Sequence, residues 1–501
     1  MIKKFERLRE LTTEINNLSR VAAILNWDQA TYMPRGGGAA RARQKAFLER
    51  LAHERLTSSE MGDLLNSLRD WAGKLPKHSM EASLVRITDK AFKLQSEIPA
   101  EFQERFSMHI SETYEAWQEA RNKNNYSIIL PYLRKSVDLS REASSYSKNF
   151  SHVADPLIDR LDEGYTAAGI RKLFTELRKS LVPMLKAISE KPSPDTGPLF
   201  RTFPAQKQWD FGLKTIEKIG FDFSRGRQDL SEHPFTDSFS VSDVRITTRL
   251  REDDFQECFT STLHEAGHGF YEQGFNPLHD GTPLAAAPSM GIHESQSRLW
   301  ENMIGKSRNF WLHFFPLLQE YFPSQTEDLN PEKLYRSLNR VSPSLIRTEA
   351  DEVSYDLHIM IRFELELALL EGSISVEELP DAWNELYMEN LGIEVSSDSN
   401  GVLQDMHWYS DFVGGVFQCY TLGNIMAAQL YQAALRDIPE IPHQISMGNF
   451  SPIFNWMRDK VHAPGSTMTA EEIIVSATGS PLCAQPYIAY LTEKYSDIYS
   501  L

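Results

Sequence analysis

The chain has 501 residues, of which 41% are apolar and 24% charged, a composition that supports a large folded core and excludes both global disorder and a small disulfide-stapled scaffold. Its 52 Lys and Arg residues stand against 69 Asp and Glu residues, and the net charge of −17 makes nucleic acid and anionic membrane surfaces poor partners. The three cysteines are too few and too scattered for a disulfide framework, which is typical of a cytoplasmic protein.

The first third of the chain predicts helices. Apolar residues from Ile2 to Leu25 recur at spacings of three and four, which indicates one amphipathic helix that should end before Met33-Pro34. The N-terminus has no continuous apolar segment, so we expect no secretory signal. Charged, Leu-rich sequence with the same periodicity continues, and we expect residues 1–190 to form a helical scaffold lobe.

The segment 191–204 is rich in Pro and Gly and marks a surface loop or a lobe boundary. We expect residues 191–501 to form the catalytic part, within one continuous fold rather than as an independent domain. Residues 235–250 are the clearest strand signal, whereas 254–274, 292–320, 350–371 and 408–435 predict helices. The uncharged run 412–435 is predicted to be a buried helix, because polar amides recur along it. The expected fold class is mainly α, with one small β-sheet next to the helix 254–274.

The informative segment is Thr262-Leu263-His264-Glu265-Ala266-Gly267-His268, an HEXXH sequence inside a predicted helix. Residues four apart lie on one helix face, so the imidazoles of His264 and His268 can bind one metal ion. Glu265 is placed beside the metal, where its carboxylate can take a proton from water. The pattern predicts a metal-dependent hydrolase, and its alternative is a pair of surface histidines without a ligand.

A catalytic zinc ion needs a third protein ligand and an open position for water. The sequence lacks the third histidine of the extended metzincin motif, so a carboxylate on a following helix is the alternative. Glu294 lies 26 residues after His268, beyond a loop rich in Pro and Gly. Glu294 is therefore the expected third ligand, and its rivals are Glu272, His293 and Glu301.

Six motifs stand in order between residues 233 and 408. They are His233-Pro234-Phe235, Asp243-Val244-Arg245-Ile246-Thr247, HEAGH, His293-Glu294-Ser295-Gln296, Ile346-Arg347-Thr348-Glu349-Ala350-Asp351 and Gly401-Val402-Leu403-Gln404-Asp405-Met406-His407-Trp408. Together with Asn26-Trp27-Asp28 and Met33-Pro34 near the N-terminus, they resemble the M32 metallocarboxypeptidases, the family of carboxypeptidase Taq. This joint match is far more specific than HEXXH alone.

The resemblance implies a carboxypeptidase of broad specificity that releases single C-terminal amino acids from peptides with a free C-terminus. It also implies a large helical body with a deep groove and a short sheet, similar to the neurolysin and angiotensin-converting-enzyme zincins, and a homodimer. One zinc ion per subunit, replaceable by cobalt, is implied. The family's metal ligands fall on His264, His268 and Glu294, and its general base falls on Glu265.

Release of a C-terminal residue requires a group that binds a free carboxylate, which the planar guanidinium of arginine does with two parallel donors. The candidates are Arg347 and Arg245. The resemblance implies a substrate-binding role for Arg347, for which the alternative is a salt bridge to Glu349 or Asp351.

Arg245 lies on the predicted strand, where an extended peptide could add as a further strand. Asp243, Arg245 and Thr247 share one face of that strand at a period of two. This face either lines the substrate or is an ordinary solvated surface.

A peptidase of this kind needs a donor for the oxyanion that forms during attack on the carbonyl. We expect His407 to be this donor, with Asp405 orienting it or capping a helix. Tyr409 and Tyr420 are candidates to supply or share the hydrogen bond. For each tyrosine the alternative is a packed aromatic ring with its hydroxyl satisfied.

Three other functions compete. An oligopeptidase or endopeptidase would use the same metal chemistry, and a peptide blocked by a C-terminal amide separates it from a carboxypeptidase. A helical di-iron protein needs two Glu-x-x-His pairs, and the second pair, Glu440 to His443, contains Pro442. An inactive peptide-binding module would be expected to lack Glu265. The sequence therefore favours a metal-dependent peptidase.

Overall fold

The structure is a computed structural model that describes residues 1–501. It contains 21 α-helices and one sheet of three strands, so the predicted mainly α fold class is confirmed. The helices are α1 Ile2–Thr31, α2 Gly38–Leu56, α3 Ser59–Ala72, α4 Met80–Glu97, α5 Ala100–Lys123, α6 Leu130–Tyr146, α7 Asp155–Asp159, α8 Ala167–Ser189, α9 Ala205–Ile219, α10 Phe255–Gly274, α11 Met290–Arg298, α12 Arg308–Tyr321, α13 Pro331–Leu338, α14 Tyr355–Glu371, α15 Leu379–Leu391, α16 His407–Ser410, α17 Gln418–Asp437, α18 Ile441–Ser446, α19 Ser451–Met457, α20 Ala470–Thr478 and α21 Gln485–Tyr499. The strands are β1 Gly226–Leu230, β2 Thr236–Ser240 and β3 Asp243–Thr248.

Two hydrophobic cores are separate in space. The smaller contains 11 buried residues, mostly from the apolar faces of α1, α3 and α4. The larger contains 98 buried residues and runs from Phe102 to Tyr499. Because the larger core includes side chains from both sides of position 190, the loop 191–204 does not separate two cores. We propose that residues 1–190 and 191–501 are parts of one continuous fold.

The strand predicted over 235–250 is in fact a hairpin. β2 and β3 pair antiparallel, and the chain turns between them at Val241-Ser242, where Ser240 Oγ accepts a hydrogen bond from the amide of Ser242. β1 pairs parallel to β3 and was not predicted, because its sequence GRQDL contains no β-branched or aromatic residue. The strand order is β1-β3-β2, with β3 in the centre.

The predicted C-terminal helices are present but interrupted. The range 292–320 divides into α11, a π-helical segment Leu299–Gly305 and α12, which Ser307 caps through the amide of Phe310. The range 408–435 divides into α16 and α17, between which the backbone turns at Gly414 and Gly415. α17 is largely buried, as predicted. No helix carries an apolar stretch long enough to cross a bilayer.

Candidate metal centre and active site

The two histidines of the HEXXH sequence lie one turn apart on α10. This helix begins at Phe255 because the carboxylate of Asp254 accepts a hydrogen bond from the amide of Glu257. The rings of His264 and His268 are nearly perpendicular, with centroids 5.0 Å apart. Both imidazoles leave the same helix face, so they can reach one ion from the same side.

Glu294 approaches these histidines from α11, which Ser289 caps by accepting a hydrogen bond from the amide of Ile292. Glu294 Oε2 lies 3.6 Å from His264 Nε2 and 3.5 Å from His268 Nε2, and the three donor atoms lie within 4.8 Å of one another. A tetrahedral zinc ion with bonds of about 2.0–2.1 Å holds its ligand atoms about 3.3 Å apart. The arrangement therefore fits one zinc-sized cation.

Two glycines allow the helices of the site to approach closely. A Cβ atom at Gly267 on α10 would lie 2.6 Å from the carbonyl oxygen of Gln296 on α11. A Cβ atom at Gly423 on α17 would lie 2.7 Å from Cβ and Cγ of Glu294. Both distances are too short for a real side chain, so α10 and α17 can pack against α11 at the metal group only because these positions are glycine.

Arg298 and Glu301 form hydrogen bonds with the candidate ligands. Glu301 Oε2 lies 2.9 Å from His264 Nδ1, which leaves Nε2 of that ring free for a metal. The guanidinium of Arg298 donates to Glu294 Oε1 at 2.6 Å and to Glu301 Oε2 at 3.3 Å. Glu301, a sequence rival for the third ligand, thus contacts a ligand instead of joining the group.

The other rivals, Glu272 and His293, pair with each other. His293 Nε2 lies 2.9 Å from Glu272 Oε1, and Ser238 Oγ donates to Glu272 Oε2 at 2.7 Å. The ring of His293 stacks on that of His268, with centroids 4.3 Å apart. These contacts support the ring of His268 and leave Glu294 as the third donor.

The charge states of the three side chains suit a cation. Burial lowers the pKa of His268 to about 3, so its imidazole is neutral at pH 7. Burial alone would raise the pKa of Glu294, but the charges of Arg298 and His264 and the hydrogen bond with His268 together hold this pKa well below its usual range. Burial opposes the charge on His264, yet the nearby carboxylates of Glu294 and Glu301 raise its pKa. A bound cation would take the place of that proton.

Glu265 lies beside the group and not in it. Its side chain is buried, and its Oε2 accepts a hydrogen bond of 2.6 Å from Thr236 Oγ1 on β2. Burial raises the pKa of this carboxyl, against the opposing charge of His264. The sheet therefore positions the carboxylate through Thr236. The sequence did not reveal this function, because threonine is common in strands and gives no signal of a role at the site.

Arg347 forms a buried ion pair with Asp405 and not with Glu349 or Asp351. Its Nε lies 3.1 Å from Asp405 Oδ1, and its Nη2 lies 2.7 Å from the same atom. The second oxygen of Asp405 accepts from Nε of Arg362. Burial would raise the pKa of Asp405, but the two arginines hold it far below its usual range. The salt bridge to Glu349 or Asp351, which was the alternative to a substrate-binding role, is not formed, and Asp351 instead accepts hydrogen bonds from amides of its own loop.

His407 and Tyr420 adjoin Arg347. His407 Nε2 lies 3.2 Å from Tyr420 Oη, and Cζ of Arg347 lies 5.4 Å from the centroid of the Tyr420 ring. Tyr420 is one turn before Gly423 on α17, the position that contacts Glu294. The helix α17 therefore places Tyr420 near the metal group, and His407 and Arg347 contact Tyr420.

Asp405 does not orient His407 by a hydrogen bond, because its Oδ1 lies 3.7 Å from His407 Nδ1. Burial, reinforced by the charge of Arg347, lowers the pKa of His407 to about 4. This imidazole is neutral at pH 7 and keeps one N–H donor.

Tyr409 and Thr247 use their hydroxyl groups inside the fold. Tyr409 is fully buried and donates to the carbonyl oxygen of Val402 at 3.1 Å. The hydroxyl of Thr247, also fully buried, accepts from the amide of Phe235 at 2.8 Å. The contacts of Tyr409 match the packed aromatic that was the alternative for it, and neither residue contacts the metal group.

Arg245 lies on the central strand of the sheet. Because β1 and β2 flank β3 on both sides, a peptide cannot add beside Arg245, and that expectation is wrong. The guanidinium instead binds both oxygens of Asp243, at 2.9 and 2.8 Å, and packs over the ring of Phe239 at 4.8 Å. The strand next to Glu265 that has an unpaired edge is β2.

Besides Thr236, sequence reasoning missed three residues that organise the site. Arg298 follows Glu294 by four residues, the spacing at which opposite charges meet on a helix, so a signal existed. Arg362 and Tyr355 lie on α14 and meet Asp405 and Arg347 only through the fold, so no local spacing could identify them.

Comparisons with known proteins bear on this geometry. Residues 7–495 match the carboxypeptidase Taq (M32) metallopeptidase family. Thermostable carboxypeptidase 1 of Thermus thermophilus is 38% identical over 505 residues, with 99% of each chain covered, and carboxypeptidase 1 of Bacillus subtilis is 36% identical, with 98% of each covered. The crystal structure of the M32 carboxypeptidase from Deinococcus radiodurans R1 superimposes over 100% of both chains with a TM-score of 0.97 and 42% identity.

Proposed function

This chain belongs to the M32 family of metallocarboxypeptidases and is a peptide hydrolase, and on that basis we propose that it releases single C-terminal amino acids through a zinc-dependent attack of water. The observation that carries the proposal is the group of three donor atoms from His264, His268 and Glu294, which fits one tetrahedral cation. Its nitrogen and oxygen donors also suit Co²⁺, so we expect cobalt to replace zinc.

Glu265 is the proposed general base. His264, His268 and Glu294 would hold a zinc ion, which as a Lewis acid would polarise the scissile carbonyl and lower the pKa of water. Glu265 takes one proton from the attacking water and returns it to the amine when the C–N bond breaks. Thr236 holds the carboxylate in place for both transfers through its hydrogen bond to Oε2.

His407 and Tyr420 are the proposed donors to the carbonyl oxygen as negative charge develops on it. They contact each other at 3.2 Å, and α17 places Tyr420 on the side of the helix that packs against Glu294. Because the pKa of His407 is lowered to about 4, the ring donates as a neutral imidazole at pH 7.

Arg347 is the proposed binding group for the C-terminal carboxylate. It shares Asp405 with Arg362, so two guanidinium charges face one carboxylate and one positive charge remains for the substrate. Arg245 has its charge compensated by Asp243 and is the weaker candidate.

Four further proposals rest on the family resemblance, on the net charge and on the cysteines. We propose broad specificity for the C-terminal side chain, peptides and not nucleic acid as substrates, a homodimer, and a cytoplasmic location. The three free cysteines suit a reducing compartment. Light scattering of the purified protein tests the dimer.

The experiment that tests the proposed function is digestion of one peptide in two forms, with a free C-terminus and as the C-terminal amide, with and without a chelator. Mass spectrometry should show successive losses of single C-terminal residues from the free acid only, and only without the chelator. Internal cleavage products, or equal digestion of the amide, would instead indicate an oligopeptidase. Turnover unchanged by the chelator would contradict the metal chemistry.

A further inference from the structure

The edge of Arg347 that Nε and Nη2 form is not free for a ligand. Nε and Nη2, the two nitrogen atoms of that edge, contact Asp405 at 3.1 and 2.7 Å. The remaining nitrogen, Nη1, lies 3.3 Å from the hydroxyl oxygen of Tyr355. A carboxylate that docks on Arg347 therefore approaches at Nη1, next to the hydroxyl of Tyr355, which can serve as a second donor for its other oxygen.

The hydroxyl of Tyr355 is free to donate a hydrogen bond. It accepts the hydrogen bond from Arg347, and no protein acceptor lies within hydrogen-bond distance of its own O–H. Burial raises the pKa of Tyr355, so the hydroxyl stays protonated at neutral pH. The hydroxyl of Tyr409 differs, because it donates to the carbonyl oxygen of Val402.

Tyr355 also lies at the right place relative to the metal group. The guanidinium of Arg298 covers its ring, with Cζ 4.5 Å from the ring centroid, and the same guanidinium donates to Glu294 Oε1 at 2.6 Å. One tyrosine thus touches Arg347 at its hydroxyl and, at its ring, the arginine that binds a metal ligand. In a carboxypeptidase substrate the scissile carbonyl and the terminal carboxylate are one residue apart, roughly 3.5 Å, so the carboxylate must bind close to the metal.

We propose that Tyr355 is a substrate-binding residue whose hydroxyl donates to one oxygen of the C-terminal carboxylate while Nη1 of Arg347 binds the other. Asp405 is then a positioning residue, since it occupies the other edge of Arg347 and turns Nη1 toward Tyr355. This inference rests on the proposed function, because it takes the carboxylate of a carboxypeptidase substrate to Arg347.

The test compares Tyr355→Phe with Arg347→Met and with Tyr409→Phe, a matched variant whose lost hydroxyl serves only the fold. The substrates are an N-acylated dipeptide with a free carboxylate and its C-terminal amide, and the corresponding N-acyl amino acid serves as a competitive inhibitor. Tyr355→Phe should raise KM for the free acid and the inhibition constant about tenfold, the effect of one hydrogen bond to a charged group. The kcat and the zinc content should change little, and any residual turnover of the amide should stay the same. Arg347→Met should raise KM for the free acid and the inhibition constant about hundredfold or more. Tyr409→Phe should change neither constant.

The outcomes distinguish a failure of this inference from a failure of the proposed function. Equal turnover of acid and amide by the unmodified protein overturns the proposed function, and the inference with it. Preference for the acid that Arg347→Met abolishes but Tyr355→Phe retains in full overturns the inference alone. A Tyr355→Phe protein that loses zinc, melts at a lower temperature, or loses acid and amide turnover equally assigns Tyr355 a structural role and also overturns it.

Discussion

The metal side and the carboxylate side of this site are built in different ways. The three proposed metal-binding atoms come from two neighbouring helices, and helix geometry alone sets the spacing of the two histidines. The carboxylate side takes Arg347 from a single 3₁₀ turn, Asp405 and His407 from the segment that leads into α16, and Tyr355 and Arg362 from α14. A local sequence pattern can therefore identify the metal ligands, whereas the partners on the other side become visible only in the fold.

The two sides also differ in charge. Near the metal, the carboxylates of Glu265, Glu294 and Glu301 stand against the cations of Arg298 and Lys306, which leaves an excess of negative charge when all three are ionised. On the other side, two arginines share one aspartate, which leaves an excess of positive charge. A cation and the terminal carboxylate of a peptide would compensate the two halves separately. The difference can be tested by changing one side at a time.

Glu265→Gln should have the largest effect of any change on the metal side. Loss of the proposed general base should lower kcat by about 10³-fold or more, while zinc stays bound because Glu265 is not one of the three donors. Steady-state kinetics and metal analysis of the same preparation check this expectation. Near-normal turnover in a zinc-loaded variant would remove Glu265 from the mechanism.

Asp405→Asn should have the largest effect on the carboxylate side. The change leaves Arg347 and Arg362 buried without a counter-charge, which should lower the free energy of unfolding by about 3 kcal/mol. The control is Asp411→Asn, because the Asp411–Arg160 pair is partly exposed and should cost below about 1 kcal/mol. Urea titration of both variants measures the difference, and equal losses would show that the buried pair is not special.

Glu301→Gln should weaken metal binding without removing a ligand. Its carboxylate fixes the ring of His264 through Nδ1, and the loss of such a partner typically lowers metal affinity 10- to 100-fold, so we expect about that range. Glu272→Gln is the matched control, since Glu272 contacts His293, which is not among the donors. Competition with a zinc chelator measures both affinities. Equal weakening by the two variants would contradict the assignment of Glu301.

Gly423→Ala tests the close contact between α17 and α11. The new methyl group would lie 2.7 Å from Cβ and Cγ of Glu294, so the helices must separate, at a cost of about 1–3 kcal/mol in unfolding free energy. Zinc affinity should fall as well, because Glu294 moves. Gly38→Ala, which meets open space at the start of α2, is the control and should be neutral. Unchanged zinc affinity in Gly423→Ala would show that α11 tolerates the displacement.

Glu366→Gln should have the smallest effect, visible only in the pH dependence of stability. Burial raises the pKa of Glu366 from the ordinary 4.5 to about 8, although Trp408 Nε1 donates to it at 2.8 Å. The unfolded chain loses this proton near pH 4.5 and the folded chain only near pH 8, so stability from this group is present at low pH and is lost as the pH rises between these values. Between pH 5.5 and pH 8.5, the free energy of unfolding should fall more in the unmodified protein than in the variant. An identical fall in both proteins would reject the shifted pKa.

Particular residues show what could be predicted from the sequence. The spacing of His264 and His268 is a property of one helix, and Glu294 followed from ligand chemistry and the loop before it. The strand prediction failed at Val241-Ser242, where the chain turns between β2 and β3. A turn of only two residues hardly changes the composition of the segment 235–250, so the segment still resembles one strand. The pairing of Arg347 with Asp405 joins residues 58 positions apart, and nothing in the sequence ranks Asp405 above the nearer Glu349 and Asp351.

Anomalous diffraction at the zinc edge from crystals of the zinc-loaded protein tests the central claim most directly. The account predicts one peak per chain, at about 2.0–2.2 Å from Nε2 of His264, Nε2 of His268 and a carboxylate oxygen of Glu294. A peak bound to Glu301 or Glu272 in place of Glu294, or no peak between the two helices, would contradict it.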